Sequence, residues 1–240
     1  MSDLRPIISL RGVGLCYHPR PALFPKMEKA FWALRGLDLD VFEGEKLGII
    51  GRNGCGKSTL MRLLAGIYGP DEGEVVFHRP DCHVELLSIG VGFEGNLSGA
   101  ENAVLNGMLM GKSRLTMKRR LPAIREFSGL GEFFDWPVST YSSGMLTRLG
   151  FATAMEVNPD VLLIDEVLGV GDAEFLAKSQ AAVQAKFQSD RTVVLISHDP
   201  ATIMSICTRA VWLERGQILA AGDPAHVGEI YRQRQQHQPG

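Results

Sequence analysis

Lys46-Leu47-Gly48-Ile49-Ile50 runs without a break into Gly51-Arg52-Asn53-Gly54-Cys55-Gly56-Lys57-Ser58-Thr59. The first five residues read as a short buried strand. The next nine match the pattern G-x-x-x-x-G-K-[ST], and the spacing predicts a helix over Lys57–Ile67. Strand, glycine-rich loop and helix together make a phosphate cradle. Gly51, Gly54 and Gly56 let the backbone curl so that its N–H groups face one centre, and the helix N-terminus aims its positive dipole end at the same point. Lys57 adds a mobile cation for β- and γ-phosphates. Ser58 offers a hydroxyl to Mg²⁺. Asn53, Cys55 and Thr59 complete the candidate nucleotide-binding stretch. Gly69-Pro70-Asp71-Glu72-Gly73 then ends the helix with a strong turn signal.

Outward from this loop, short apolar runs alternate with longer helical patterns. Gly73–His78 and Val84–Ser88 read as strands. Ser98 and Glu101 have the spacing of a capping box, and the chain from about residue 95 to 158 reads as mostly helical, closed by Asn158-Pro159. Strand-like runs return at Val161–Ile164 and Arg191–Ser197. A helix is expected after each, the second opened by Asp199 with Pro200 at its first position. Ala210–Glu214 and Gln217–Ala221 suggest a hairpin, and Asp223-Pro224 starts a last helix. Residues 233–240 are Gln-rich and expected to form a loose tail. The alternation predicts a single α/β domain over residues 1–240, with a mainly parallel sheet, a helical sub-domain inserted at about 95–158, and an antiparallel β piece before residue 45.

Three further stretches carry chemistry. Val161-Leu162-Leu163-Ile164-Asp165-Glu166 places two acids at the exit of a buried strand, where ligands sit in open parallel sheets. Asp165 there can hold Mg²⁺ through water and Glu166 can orient and deprotonate an attacking water. Acids also commonly end strands and cap helices. Thr140-Tyr141-Ser142-Ser143-Gly144-Met145 precedes an apolar helix; it is either an ordinary N-cap or a second anion-binding helix end. His198 follows the strand Val193–Ile196 at the same sheet edge, which favours a phosphate contact over a purely structural role.

Composition excludes several classes. The chain has 240 residues, 45% apolar and 22% charged, which is ordinary globular usage. With 25 Lys plus Arg against 27 Asp plus Glu, the formal charge is −2, unlike a general nucleic-acid binder. Cys16, Cys55, Cys82 and Cys207 show no paired spacing, which fits a reducing compartment. No apolar run approaches the roughly 20 residues of a membrane helix, and the first residues have no signal-like apolar region.

Phosphate loop, helical insert, Tyr-Ser-Ser-Gly-Met, acid pair and histidine, in this order, resemble the ATP-binding subunit of ABC transporters from Ser9 to about Tyr231. The resemblance implies ATP and Mg²⁺, with Lys57, Glu166 and His198 catalytic, and Asp165 and Ser58 on the metal. It also implies that Tyr17 stacks on adenine. Ser142, Ser143 and Gly144 would close over ATP held by the other subunit of a head-to-tail homodimer, and Gly171-Asp172 would form the loop crossing between subunits. Two departures stand out. The usual Leu-Ser-Gly-Gly-Gln reads Tyr141-Ser142-Ser143-Gly144-Met145, and the usual glutamine loop reads Gly90-Val91-Gly92-Phe93-Glu94, where only Glu94 offers a substitute.

Together with residues 165–175 and Phe31-Trp32-Ala33-Leu34, these departures resemble the subfamily exporting O-antigen, capsule or teichoic acid. That implies a peripheral position on the cytoplasmic face of the inner membrane, two integral-membrane permease subunits as partners, and a polysaccharide, lipid-linked in the expected case, as cargo. An ABC-type ATPase for another substrate, or one acting without a membrane partner, is the alternative. Some members carry a C-terminal glycan-binding domain, for which this chain is expected to be too short. The Pro- and Phe-rich stretch 18–31 is either a surface loop or a segment meeting the polymer head group. Lys112, Arg114, Lys118, Arg119, Arg120 and Arg125 form a basic run, read as a solvated helix face ahead of a lipid contact. Cys55, at a helix N-terminus, is expected to be reactive and shielded by nucleotide.

Overall fold

The computed structural model describes residues 5–18, 30–87, 92–165 and 173–237. Two sheets share one interior. β1 (Pro6–Tyr17), β2 (Phe31–Phe42) and β4 (Glu72–Phe77) form an antiparallel sheet in the order β2-β1-β4. The second sheet runs β5 (Val84–Leu86), β6 (Val161–Asp165), β7 (Thr192–Ile196), β3 (Lys46–Ile50), β8 (Arg209–Glu214), β9 (Gln217–Gly222). Its first five strands are mutually parallel, and β9 closes the edge as the antiparallel arm of a hairpin. Both faces of β3 and β7 are buried, which is why they read as unbroken apolar runs rather than alternating ones. Lys46 is tolerated inside β3 because its ammonium donates to the carbonyls of Gly44, Ser189 and Arg191.

Helices cover the second sheet: α1 (Lys57–Leu64), α5 (Ala173–Phe187), α6 (Pro200–Ile206) and α7 (Pro224–His237). Between β5 and β6 the chain leaves to build a helical block of α2 (Gly99–Leu109), α3 (Arg114–Ser128), two short 3-10 turns and α4 (Ser143–Val157). The local signals behave as physics requires. Ser98 and Glu101 complete a reciprocal capping box on α2. Asp199 caps α6 through the N–H groups of Ala201 and Thr202. Asn158, left-handed at φ 51°, ends α4 ahead of Pro159.

The interior divides into three apolar clusters. One lies between the two sheets and includes Leu34, Ile49, Leu60 and Ile196. The second packs α4, α5, α6 and α7 on the other face of the parallel sheet. The third belongs to the helical block, around Met117, Phe134 and Leu149. Phe127, Phe151 and Phe175, with ring centroids 5.8–6.0 Å apart, join the second and third.

Three boundaries differ by two residues or more from the sequence reading. The helix after the phosphate loop stops at Leu64, before Gly66 at φ 69°, rather than at Ile67. The strand expected to reach Ser88 is described only over Val84–Leu86. The tail expected from Gln233 is helical to His237, because Val227 and Tyr231 are buried and anchor α7 one to two turns upstream.

Candidate nucleotide site

The loop after β3 leaves the carboxyl edge of the sheet at its centre. β3 lies beside β7 with Ile49 opposite Ile196, and β6 lies beside β7 with Asp165 opposite the same Ile196. Three strand ends therefore deliver the phosphate loop, Asp165 and the Ser197–His198 turn to one edge. Strand pairing alone accounts for that convergence.

Within the loop, Gly54 (φ 78°) and Gly56 (φ 109°) take left-handed conformations, and a side chain at Gly56 would meet the Ala33 carbonyl at 2.6 Å. The loop thus sits flush against β2. Asn53, Gly54, Gly56, Lys57, Ser58 and Thr59 line an open pocket of about 290 Å³ with Tyr17, Phe31, Ala33 and Asp165. Sites for small molecules typically measure roughly 300–1,000 Å³. This one is at the low end.

Lys57 is buried and turns back on its own loop, donating to the Gly51 carbonyl at 2.7 Å and the Arg52 carbonyl at 3.0 Å. The Ser58 hydroxyl donates to Asp165 Oδ2 at 3.2 Å. A hydroxyl and a carboxylate at that separation, beside a curled backbone of donors, form an oxygen donor set suited to Mg²⁺ next to a polyphosphate. The Tyr17 and Thr59 hydroxyls share a hydrogen bond of 3.2 Å, and Tyr17 meets Tyr68 edge-on at 6.4 Å, so an aromatic face flanks the phosphate end.

The remaining sequence-derived residues fall into three groups. Glu166 and Asp172 lie outside the described residues, as do Gly90, Val91 and most of the 18–31 stretch. His198 is exposed at the β7 exit and is not among the residues lining the pocket. Ser142, Ser143 and Gly144 open α4, with Ser142 accepting from the Met145 N–H at 3.2 Å, and none of the three lines the pocket of its own chain. The N-cap is thus present.

One expectation is corrected. The Cys55 side chain is buried in the cluster between the sheets, and that burial raises its thiol above the ordinary range despite the nearby Lys57. The reactive thiol inferred from a helix N-terminus is overruled by desolvation. Glu94 is not among the residues lining the phosphate pocket. Its backbone N–H and carbonyl are both bonded to the side chain of Asn102, at 2.8 and 3.0 Å. In the basic run, Arg120 faces Glu156 at 3.4 Å and Arg125 pairs with Asp135 at 2.5 Å, whereas Arg114, Lys118 and Arg119 are exposed.

Comparison with known proteins adds three findings. The ABC transporter family profile matches residues 34–169. The chain is 44% identical over 201 residues to the O-antigen export system ATP-binding protein RfbB of Myxococcus xanthus, covering 84% of this chain and 46% of that protein; here the chain spans about half the relative's length. It is 39% identical over 219 residues to the RfbB protein of Klebsiella pneumoniae, covering 91% of this chain and 88% of the relative. Among solved structures, the dimeric post-hydrolysis state of the ATP-binding cassette MJ0796 bound to ADP and Pi superposes with a TM-score of 0.71 at 21% identity, over 90% of this chain and 98% of that one.

Proposed function

Because the chain belongs to the ABC transporter family, we propose that it is the ATP-hydrolysing subunit of an exporter moving a lipid-linked polysaccharide across the inner membrane. The carrying observation is the single pocket in which Lys57, Ser58 and Asp165 meet the curled backbone of Asn53–Gly56. Lys57 would leave the Gly51 and Arg52 carbonyls to hold the β- and γ-phosphates. Ser58 and Asp165 would hold Mg²⁺, which supplies charge neutralisation at the phosphates. Tyr17 would stack on the base.

Glu166 accepts a proton from the attacking water, whose oxygen bonds to the γ-phosphorus as the bond to ADP breaks, and His198 holds the γ-phosphate. Ser142–Gly144 and Asp172 belong to the closing surface of a second copy in a head-to-tail homodimer. Loss of the shared phosphate then reopens the pair. The polysaccharide assignment draws on the named functions of the two curated relatives. Two permease subunits and a peripheral site on the cytoplasmic face complete the reading. Among the described residues no helix is long and apolar enough to cross a membrane, so the translocation path would belong to those partners.

The test is Glu166→Gln in the native host, with surface and intracellular polysaccharide assayed side by side. Hydrolysis by the purified variant is expected to fall about 10²–10⁴-fold with ATP binding retained. Polymer accumulating inside, with a bare surface, is the expected phenotype. Normal surface polymer with a confirmed inactive ATPase would move the assignment to another transported substrate.

A further inference from the structure

A trans peptide points its C=O and its N–H in opposite directions. The peptide joining Cys55 to Gly56 has its carbonyl held by the N–H of Gly216, at 2.9 Å, in the turn between β8 and β9. That bond turns the Gly56 N–H the other way. Gly56 lines the phosphate pocket, whereas Cys55 and Gly216 line a neighbouring recess that does not include it. We propose that Gly216 is a positioning residue of the phosphate loop: its N–H sets the plane of the Cys55–Gly56 peptide so that the Gly56 N–H is presented to bound phosphate.

The turn is itself held from the other side. The Gly216 carbonyl accepts the Arg35 N–H at 3.0 Å, tying the turn to β2. Gly216 has φ 77°, and a side chain there would stand 2.6 Å from the Ala33 carbonyl, the same oxygen that bounds Gly56. The preceding Arg215 is also left-handed, at φ 47°. Consecutive positive φ values in a two-residue hairpin loop favour Asn-Gly or Asp-Gly, and arginine at the first position costs stability. The flanking bonds to the phosphate loop and to β2 hold this conformation in place. Gly216 lies far downstream of the phosphate-loop motif, so the pattern that identifies the loop is silent about its support.

This inference rests on the ATPase reading, and the experiment separates the two. The segment Cys207–Gly240 is made synthetically with an ester in place of the Gly216 amide, which removes the N–H donor and weakens the Arg215 carbonyl as an acceptor. It is ligated through the native Cys207 to residues 1–206, and the full chain is refolded. Affinity for MgADP and MgATP is titrated, and kcat is measured at saturation. The expected result is a five- to tenfold loss of affinity for both nucleotides, with kcat within about twofold, the split of a contact made equally in ground and transition states. Gly216→Ala, which displaces the turn from Ala33, is expected to show the same split with a larger loss, and it decides the matter if the ester chain does not refold. Unchanged affinity in the ester chain, or a fall in kcat at unchanged affinity, overturns the positioning role even if thermal stability drops. Absence of nucleotide binding by the unmodified chain would instead sink the ATPase reading.

Discussion

The most telling single side chain is Lys57. Its ammonium is satisfied by two carbonyls of its own loop. A buried cation needs such partners, and these two tie the side chain to the curled backbone. Cys55, two residues earlier, shows the opposite logic. Its thiol has gone into the apolar interior, and desolvation holds it in the neutral, unreactive form. Iodoacetamide labelling followed by mass spectrometry at pH 8 is expected to modify Cys55 at least tenfold more slowly than a free thiol, at the same rate with and without MgATP. Rapid labelling quenched by nucleotide would place the sulfur at the pocket surface and reverse the correction made above.

Elements explain how the loops beside the site are held. α2 begins with a capping box, yet its strongest tie is Asn102, fully buried one turn in. That amide accepts from the Glu94 N–H and donates to the carbonyls of Glu94, Leu97 and Ser98. Asn102→Ala removes this set and leaves the Glu94 N–H without its side-chain acceptor. The expected cost is about 2–3 kcal/mol in urea unfolding, against about 1 kcal/mol for Ser98→Ala at the cap. Equal costs would reduce Asn102 to an ordinary helix residue.

The contrast also marks where a sequence can be read. Ser98, Glu101, Asp199 and Pro200 act over three or four residues, so their spacing shows directly. Asn102 looks like any polar position in a helix, because its partners lie in an irregular loop. The β8–β9 turn was legible as a turn, but its attachment to Cys55 spans most of the chain, and no local periodicity encodes that. Likewise the polar end of α7 read as tail, since only the burial of Val227 and Tyr231 reveals what anchors it. The phosphate loop and Asp165 were visible because their chemistry needs particular residue types at fixed spacing. Ser142–Gly144 read equally well as a cap or an anion site, and in one chain the cap is what the structure shows.

At the scale of the molecule, the helical block meets the sheet along the edge strand β5. There a recess of about 440 Å³ lies between β4, β5 and the end of α2 at Leu109–Gly111. Glu85 faces this seam, and burial raises its carboxyl to about 7; Arg79, Cys82 and His83 are the other charged or titratable groups of the recess. The folded chain thus binds this proton more tightly than the unfolded chain, whose carboxyl titrates near 4.5. The Glu85 contribution is most favourable below pH 4.5, and stability is lost as pH rises from there through 7. Glu85→Gln is expected to raise the melting temperature at pH 8 by about 2–6 °C and to change it little at pH 5. Melting curves that stay parallel across that range would show the carboxyl to be solvated.

The three separate apolar clusters also bear on how such a chain diversifies. Substitutions far apart and without shared neighbours act nearly independently. The block built on Met117, Phe134 and Leu149 meets the second cluster at the Phe127–Phe151–Phe175 contact. Its outer surface can change in sequence while the strands that carry Lys57 and Asp165 keep their register.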